Sequence, residues 1–132
     1  MNTFTVPTRH RNEMIDITDS VRRAVAESGI REGLATVFVP HTTAGVTINE
    51  NADPDVIHDI LLTLEELIPH QCRGYRHSEG NSDAHVKSSL IGSSVMVIVR
   101  EGRLELGTWQ SIFFCEFDGP RRRTCMVHIC AQ

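Results

Sequence analysis

The chain has 132 residues, of which 40% are hydrophobic and 23% charged, and it carries a net charge of −4 with histidine neutral. That length predicts one domain with its own core, and the negative balance argues against a general nucleic-acid binder. No run of about 18 apolar residues offers a membrane span, and the first residues lack the basic-then-apolar order of a signal peptide, so the expected location is the cytoplasm.

In chain order, Thr3-Phe-Thr-Val6 reads as a strand limited by Pro7, within Asn2 to His10. Glu13 to Thr18 leads into a helix with Thr18 as its expected N-cap. Val21, Ala24 and Val25 recur at three- and four-residue spacing, and Ser28-Gly29 closes the helix. Gly33 to Pro40 has the β-branched and aromatic content of a buried strand. His41 to Gly45 is a polar interruption before the strand Val46 to Glu50. Asp53-Pro54 starts a second helix as N-cap and first residue. Its apolar positions Val56, Ile57, Ile60, Leu61, Leu64 and Leu67 predict a helix lying flat on a sheet and ending before Pro69.

The stretch from His77 to Lys87 (HSEGNSDAHVK) carries two imidazoles, two carboxylates, an amide, two hydroxyls and an ammonium. A structural loop needs no such density, and loops on rigid scaffolds are where binding and catalysis concentrate. The stretch runs into a short helix, Ala84 to Ile91, with Asp83 as expected N-cap and Gly92 as the stop. Its N-terminus would offer free N–H groups to an anion, with His85 in the first turn. Ser94 to Arg100 is a buried strand, Glu101-Gly102 a turn, and Arg103 to Leu106 its return. Trp109 to Asp118 and Thr124 to Ile129 are two further strands around the turn Gly119-Pro120. The order of elements predicts an α+β fold, with mostly antiparallel sheet and helices on one face.

Several residues stand out chemically. His41-Thr42-Thr43 places an imidazole and two hydroxyls at a strand end, a pattern suited to phosphate or carboxylate, though weak alone. Helix capping accounts for Asp53, whereas Glu50 ends an apolar strand and is read as a metal ligand, a general base, or a solvated carboxylate. His77 and His85 invite a metal reading, but their eight-residue spacing matches no standard zinc signature. Ser78 or Ser82 with a His and Asp83 lacks a Gly-x-Ser-x-Gly elbow, so a hydrolase triad is poorly supported. His58 reads as a surface residue. Glu116, inside Phe113-Phe-Cys-Glu-Phe117, is costly unless paired or functional; Arg121 is available to pair it or to clamp a phosphate. Gln110, six residues before Glu116, would share its strand face. Arg122 and Arg123 read as exposed charge at a strand start. Cys72, Cys115, Cys125 and Cys130 contain no C-x-x-C pair and read as reduced thiols, most of them buried.

Four motifs taken together resemble one family. They are His41-Thr-Thr-Ala44; Asn49-Glu-Asn-Ala-Asp-Pro54; His77-x-Glu-Gly-Asn-Ser-Asp-Ala-His85; and Gly107-Thr-Trp-Gln110 through Glu116-Phe-Asp-Gly-Pro-Arg121. In this order, across nearly the whole chain, they resemble the YjbQ-like family, also called the secondary thiamine-phosphate synthase family. The resemblance implies an α+β homotrimer with its polar motifs near subunit boundaries. It also implies a weak, secondary activity joining a pyrimidine methyl diphosphate to a thiazole phosphate with release of pyrophosphate. On that basis His41, His77 and His85 are expected to form a cluster for a divalent metal (Zn, Mg or Mn) or an anion. Glu50, Asp83 and Glu116 would organise ligands or move protons, and Gln110 would orient substrate. Thr42, Thr43, Asn81, Lys87 and Arg121 would hold a phosphorylated metabolite. A metal-dependent hydrolase and a non-catalytic metabolite-binding trimer are the alternatives.

Overall fold

A computed structural model describes residues 1–132. The elements are β1 (Asn2–Pro7), β2 (Glu13–Asp16), α1 (Thr18–Ser28), β3 (Gly33–Phe38), β4 (Ala44–Glu50), α2 (Pro54–Leu67), α3 (Ser82–Ile91), β5 (Ser94–Arg100), β6 (Arg103–Leu104), β7 (Gln110–Glu116) and β8 (Arg122–Ala131). They form two antiparallel sheets, one of five strands ordered β1-β8-β3-β5-β6 and one of three ordered β2-β7-β4. The fold is α+β, as the sequence predicts.

The main core lies between the sheets. Val37, Val97, Cys125 and Val127 from the large sheet meet Val46, Ile112 and Phe114 from the small one, and Val21 and Ala24 of α1 fill the remaining side. Strand β7 is central in the small sheet, with β2 and β4 on either edge. Its other face puts Phe113, Cys115 and Phe117 against Ala84 of α3, with Ile57 and Leu64 of α2 packed alongside. A strand covered on both faces is apolar at consecutive positions rather than alternating, hence the run Ile112 to Cys115.

Local structure departs from expectation in several places. Ile17, not Thr18, holds the cap position of α1. The Thr18 hydroxyl donates to Asp16 Oδ1 and accepts from the Ile112 N–H at 2.9 Å, so it fastens the helix start to β7 instead. Asp83 is not the cap of α3; Asn81 is, without a side-chain capping bond, and Asp83 turns inward. Asp53 does cap α2, accepting from the Asp55 N–H.

Helix α2 covers the sheet less fully than its apolar stripe predicts: Ile57 and Leu64 pack on the Phe113 cluster, but none of its residues is fully buried. Strands about 4.8 Å apart make a three-stranded sheet only slightly wider than one helix of about 10 Å, and α3 already occupies part of that face. The return strand β6 is two residues long.

Candidate small-molecule site

Three segments converge at one end of the small sheet. The crossing from β3 to β4 carries His41, Thr42 and Thr43. The turn from β7 to β8 carries Asp118 and Arg121, with Glu116 and Arg123 on the flanking strands. The start of α3, with the loop before it, carries His77, Glu79, Asn81 and His85. A hollow of about 370 Å³ lies between them, lined by polar and charged residues apart from Pro40. Of the residues the sequence singled out, His41, Thr42, Thr43, His77, Asn81, His85 and Arg121 all line it.

The floor is set by a buried ion pair, Glu116 with Arg123. Arg123 is not exposed charge: it is 4% exposed, and Glu116 is fully buried. Arg123 donates through Nε and Nη2 to the two Glu116 oxygens, at 2.8 and 2.5 Å. Glu116 also accepts from the Thr8 hydroxyl and from the N–H groups of Phe117 and Asp118. Burial pushes its pKa up, but the Arg123 bonds, the Asp118 N–H and the Thr8 hydroxyl outweigh it and leave the carboxyl below its ordinary value. The partner of Glu116 is thus Arg123 and not Arg121, whose Nε and Nη2 donate to Asp118. A signal for Arg123 was present, because it shares strand parity with Cys125 and Val127, the inward residues of β8.

Two donors facing the hollow are fixed by what their neighbours cannot do. Arg123 Nη2 donates to Thr43 Oγ1 at 2.7 Å. Guanidinium has no acceptor, so the Thr43 proton is free for a ligand. The Thr124 N–H donates to His41 Nε2 at 3.0 Å, so the ring proton sits on Nδ1 and makes His41 a donor. Burial, with the charge of Arg123, lowers the His41 pKa and favours this neutral form. Asn81 Nδ2 donates to the Asp118 carboxylate, which leaves the buried Asn81 Oδ1 without a partner. The rings of His77 and His85 meet edge to face with centroids 5.4 Å apart.

Five residues expected at a ligand do not line the hollow. Lys87, 1% exposed, donates to Glu65 at 2.7 Å and Asp83 at 3.2 Å, so its ammonium is buried between two carboxylates and does not line the hollow. Asp83, 0% exposed, takes two bonds from Arg11 at 2.9 and 3.0 Å. Burial raises its pKa, while Arg11 and Lys87 lower it further, so it stays ionised. Together with Glu116 these groups hold the walls of the hollow rather than reach into it. Glu50 and Gln110 pair with one another at the far end of β4 and β7, whereas Ala44 pairs Glu116 at the near end. Six strand steps, about 20 Å, separate the two ends. Gln110 Oε1 is moreover taken by the Gly107 N–H.

The residues present do not fit a three-histidine metal centre within one chain. No three His, Cys, Asp or Glu side chains are grouped to hold an ion, and the Nε2 lone pair of His41 is committed to Thr124. Nor do the core thiols offer nucleophiles, since burial pushes Cys115 and Cys125 up to about 12. The arrangement is a cavity lined by hydrogen-bonding groups, on a two-sheet α+β scaffold.

Comparison with known proteins places that scaffold. The family model described as "UPF0047 protein YjbQ-like" matches residues 2–132, and the chain belongs to that family. It is 55% identical to UPF0047 protein YugU of Bacillus subtilis, over 96% of each chain. It is 54% identical to UPF0047 protein MJ1081 of Methanocaldococcus jannaschii, over 96% of this chain and 91% of that one. A crystal structure of a YjbQ/UPF0047 family protein from Clostridium acetobutylicum superposes with a TM-score of 0.96 at 53% identity, covering 98% of this chain and 100% of the other. A YbjQ-like protein of unknown function from Sulfolobus solfataricus gives 0.94 at 36% identity, covering 99% and 96%. No helix of the chain is long and apolar enough to cross a membrane.

Proposed function

We propose that the chain is a cytoplasmic small-molecule enzyme acting on a phosphorylated metabolite. Its secondary activity would join a pyrimidine methyl diphosphate to a thiazole phosphate and release pyrophosphate. The observation that carries this reading is the largely polar hollow with two donors fixed by hydrogen-bond logic, His41 Nδ1–H and Thr43 O–H. Phosphoryl oxygens accept only, so fixed donors favour them without reorganisation. The Thr42 hydroxyl and the Arg121 guanidinium add to the set. Arg121 Nη1 has no partner in the chain, and its other donors anchor on Asp118.

In this reading His77 and His85 exchange protons with the departing or attacking group as general acid and base. Glu116, Asp83 and Lys87 keep the walls in place. Glu50 and Gln110 take part only where a neighbouring subunit brings them to the hollow. The assembly would be a homotrimer, in keeping with the bare apolar faces on the large sheet and on α2. Four free cysteines are in keeping with a reducing cytoplasm.

Titration calorimetry with inorganic phosphate, alongside an assay for thiamine phosphate and pyrophosphate, tests the reading. Arg121→Ala should weaken phosphate binding about ten- to hundredfold, the worth of a hydrogen bond to a charged group. No phosphate binding by the wild-type protein would sink the reading. Turnover that consumes a phosphate ester without forming pyrophosphate would favour hydrolysis, and binding without turnover would favour a metabolite-binding trimer. Stoichiometric divalent metal lost in both His41→Ala and His85→Ala would overturn the donor role of His41.

A further inference from the structure

A second hollow, of about 360 Å³, adjoins the first and shares His41, Thr42 and His85 with it. Its other wall includes Ser88 and Ser89 of α3 and Ser93, with Ala44 as its single hydrophobic residue. Apart from the shared imidazoles it has no ionisable side chain. Ser88 is more than nine-tenths buried, yet its hydroxyl has no hydrogen-bond partner. Helical serines commonly bond back to the carbonyl four residues earlier. Ser89 does so, donating to His85 O at 2.8 Å, and Ser88 does not. A buried hydroxyl left free in this way is costly unless something else meets it.

We infer that this serine-lined hollow is a subsite for the uncharged, hydrogen-bonding part of the ligand whose phosphoryl group occupies the first hollow, with Ser88 as the specificity-determining residue. The inference rests on the phosphate reading above and names the class of ligand: a phosphate ester whose organic part carries a hydroxyl, amide or ring nitrogen. The shared wall of His41, Thr42 and His85 stands at the junction of the two parts. A long alkyl chain finds little apolar surface here. A second anionic group finds no arginine or lysine. Each hollow is near the lower end of the volume usual for ligand sites, so neither alone holds a large metabolite.

The test compares inorganic phosphate, n-propyl phosphate and glycerol 3-phosphate by calorimetry on wild-type protein and on Ser88→Ala. This substitution removes only an oxygen and suits a helix, and a thermal melt checks the fold. The wild type should prefer glycerol 3-phosphate to n-propyl phosphate by about three- to tenfold, the worth of one neutral hydrogen bond. Ser88→Ala should abolish that preference and leave inorganic phosphate binding unchanged. Equal binding of the two esters by the wild type, with inorganic phosphate still bound, would overturn the subsite alone. A preference that survives Ser88→Ala would do the same. Failure of all three ligands to bind would remove the phosphate reading, and the subsite with it.

Discussion

Glu116 and Arg123 show how one side chain can be indispensable to a cavity without touching its ligand. The pair is desolvated, and Arg123 reaches past Glu116 to orient Thr43. Removing one charge from a buried pair leaves the other uncompensated, which costs about 3–5 kcal/mol. Glu116→Gln should therefore lower stability by that order in urea unfolding; a loss under about 1 kcal/mol would mean that solvent reaches the pair. His41 makes a prediction of a different kind. Its pKa is lowered in the folded protein from the ordinary 6.5, so on acidification the unfolded chain binds the proton first. The contribution of His41 is therefore intact above pH 6.5 and declines as pH falls below it. Protonation also ends the acceptance from Thr124. Denaturant midpoints on either side of pH 6.5 should fall less steeply in His41→Gln than in wild type. Identical slopes would show that His41 is not held neutral.

Helix α3 is positioned by ions and by one close backbone approach rather than by a broad apolar face. Asp83 and Lys87 on its inner side bind Arg11, from the segment before β2, and Glu65 of α2. At its far end, a Cβ on Gly45 of β4 would come within 2.6 Å of Gly92 O and 3.3 Å of an Ile91 methyl. The Val46 N–H donates to that same Gly92 carbonyl. Gly45→Ala should push the end of α3 away from the sheet, at about 1–3 kcal/mol for overpacking. Because α3 carries His85, which lines the first hollow, phosphate binding should weaken as well. A stable Gly45→Ala protein with wild-type phosphate affinity would show that the approach of β4 to α3 is not what sets the site.

Across the whole molecule, all helices and the small sheet lie on one side of the five-stranded sheet. Its other side presents Leu34, Phe38, Met96 (66% exposed) and Ile98 (53% exposed). The strand register brings Leu34 opposite Ile98 and Thr36 opposite Met96, so these residues form one continuous apolar face. Patches of this kind mark association surfaces in soluble proteins. In the proposed homotrimer this sheet face is buried. Light scattering should give the mass of three chains for wild type, and Met96→Lys with Ile98→Glu should reduce it to one. A wild-type monomer, or a double variant that stays trimeric, would remove this face from the assembly.

Much of this was legible in the chain itself. Periodicity and turn residues marked most strands, Asp53-Pro54 marked the start of α2, and the spacing of Val21, Ala24 and Val25 marked the buried face of α1. These are local properties, set by the backbone and by which face of an element is apolar. His41, Thr42, Thr43, His77, Asn81, His85 and Arg121 also stood out, because polar groups clustered at strand and helix ends have no structural need to be there. The sequence could not rank them against Glu50, Gln110, Asp83, Lys87 and Glu116, which carry the same chemistry. Pairing β4 with β7 sends Glu50 and Gln110 to the far end. Folding α3 against Arg11 and Glu65 buries Asp83 and Lys87. Packing β8 under the β3–β4 crossing gives Glu116 its partner in Arg123. Each of these outcomes depends on residues distant in sequence meeting across desolvated space, so composition and spacing determined which groups were available, and only the tertiary structure decided which of them face a ligand and which hold the walls.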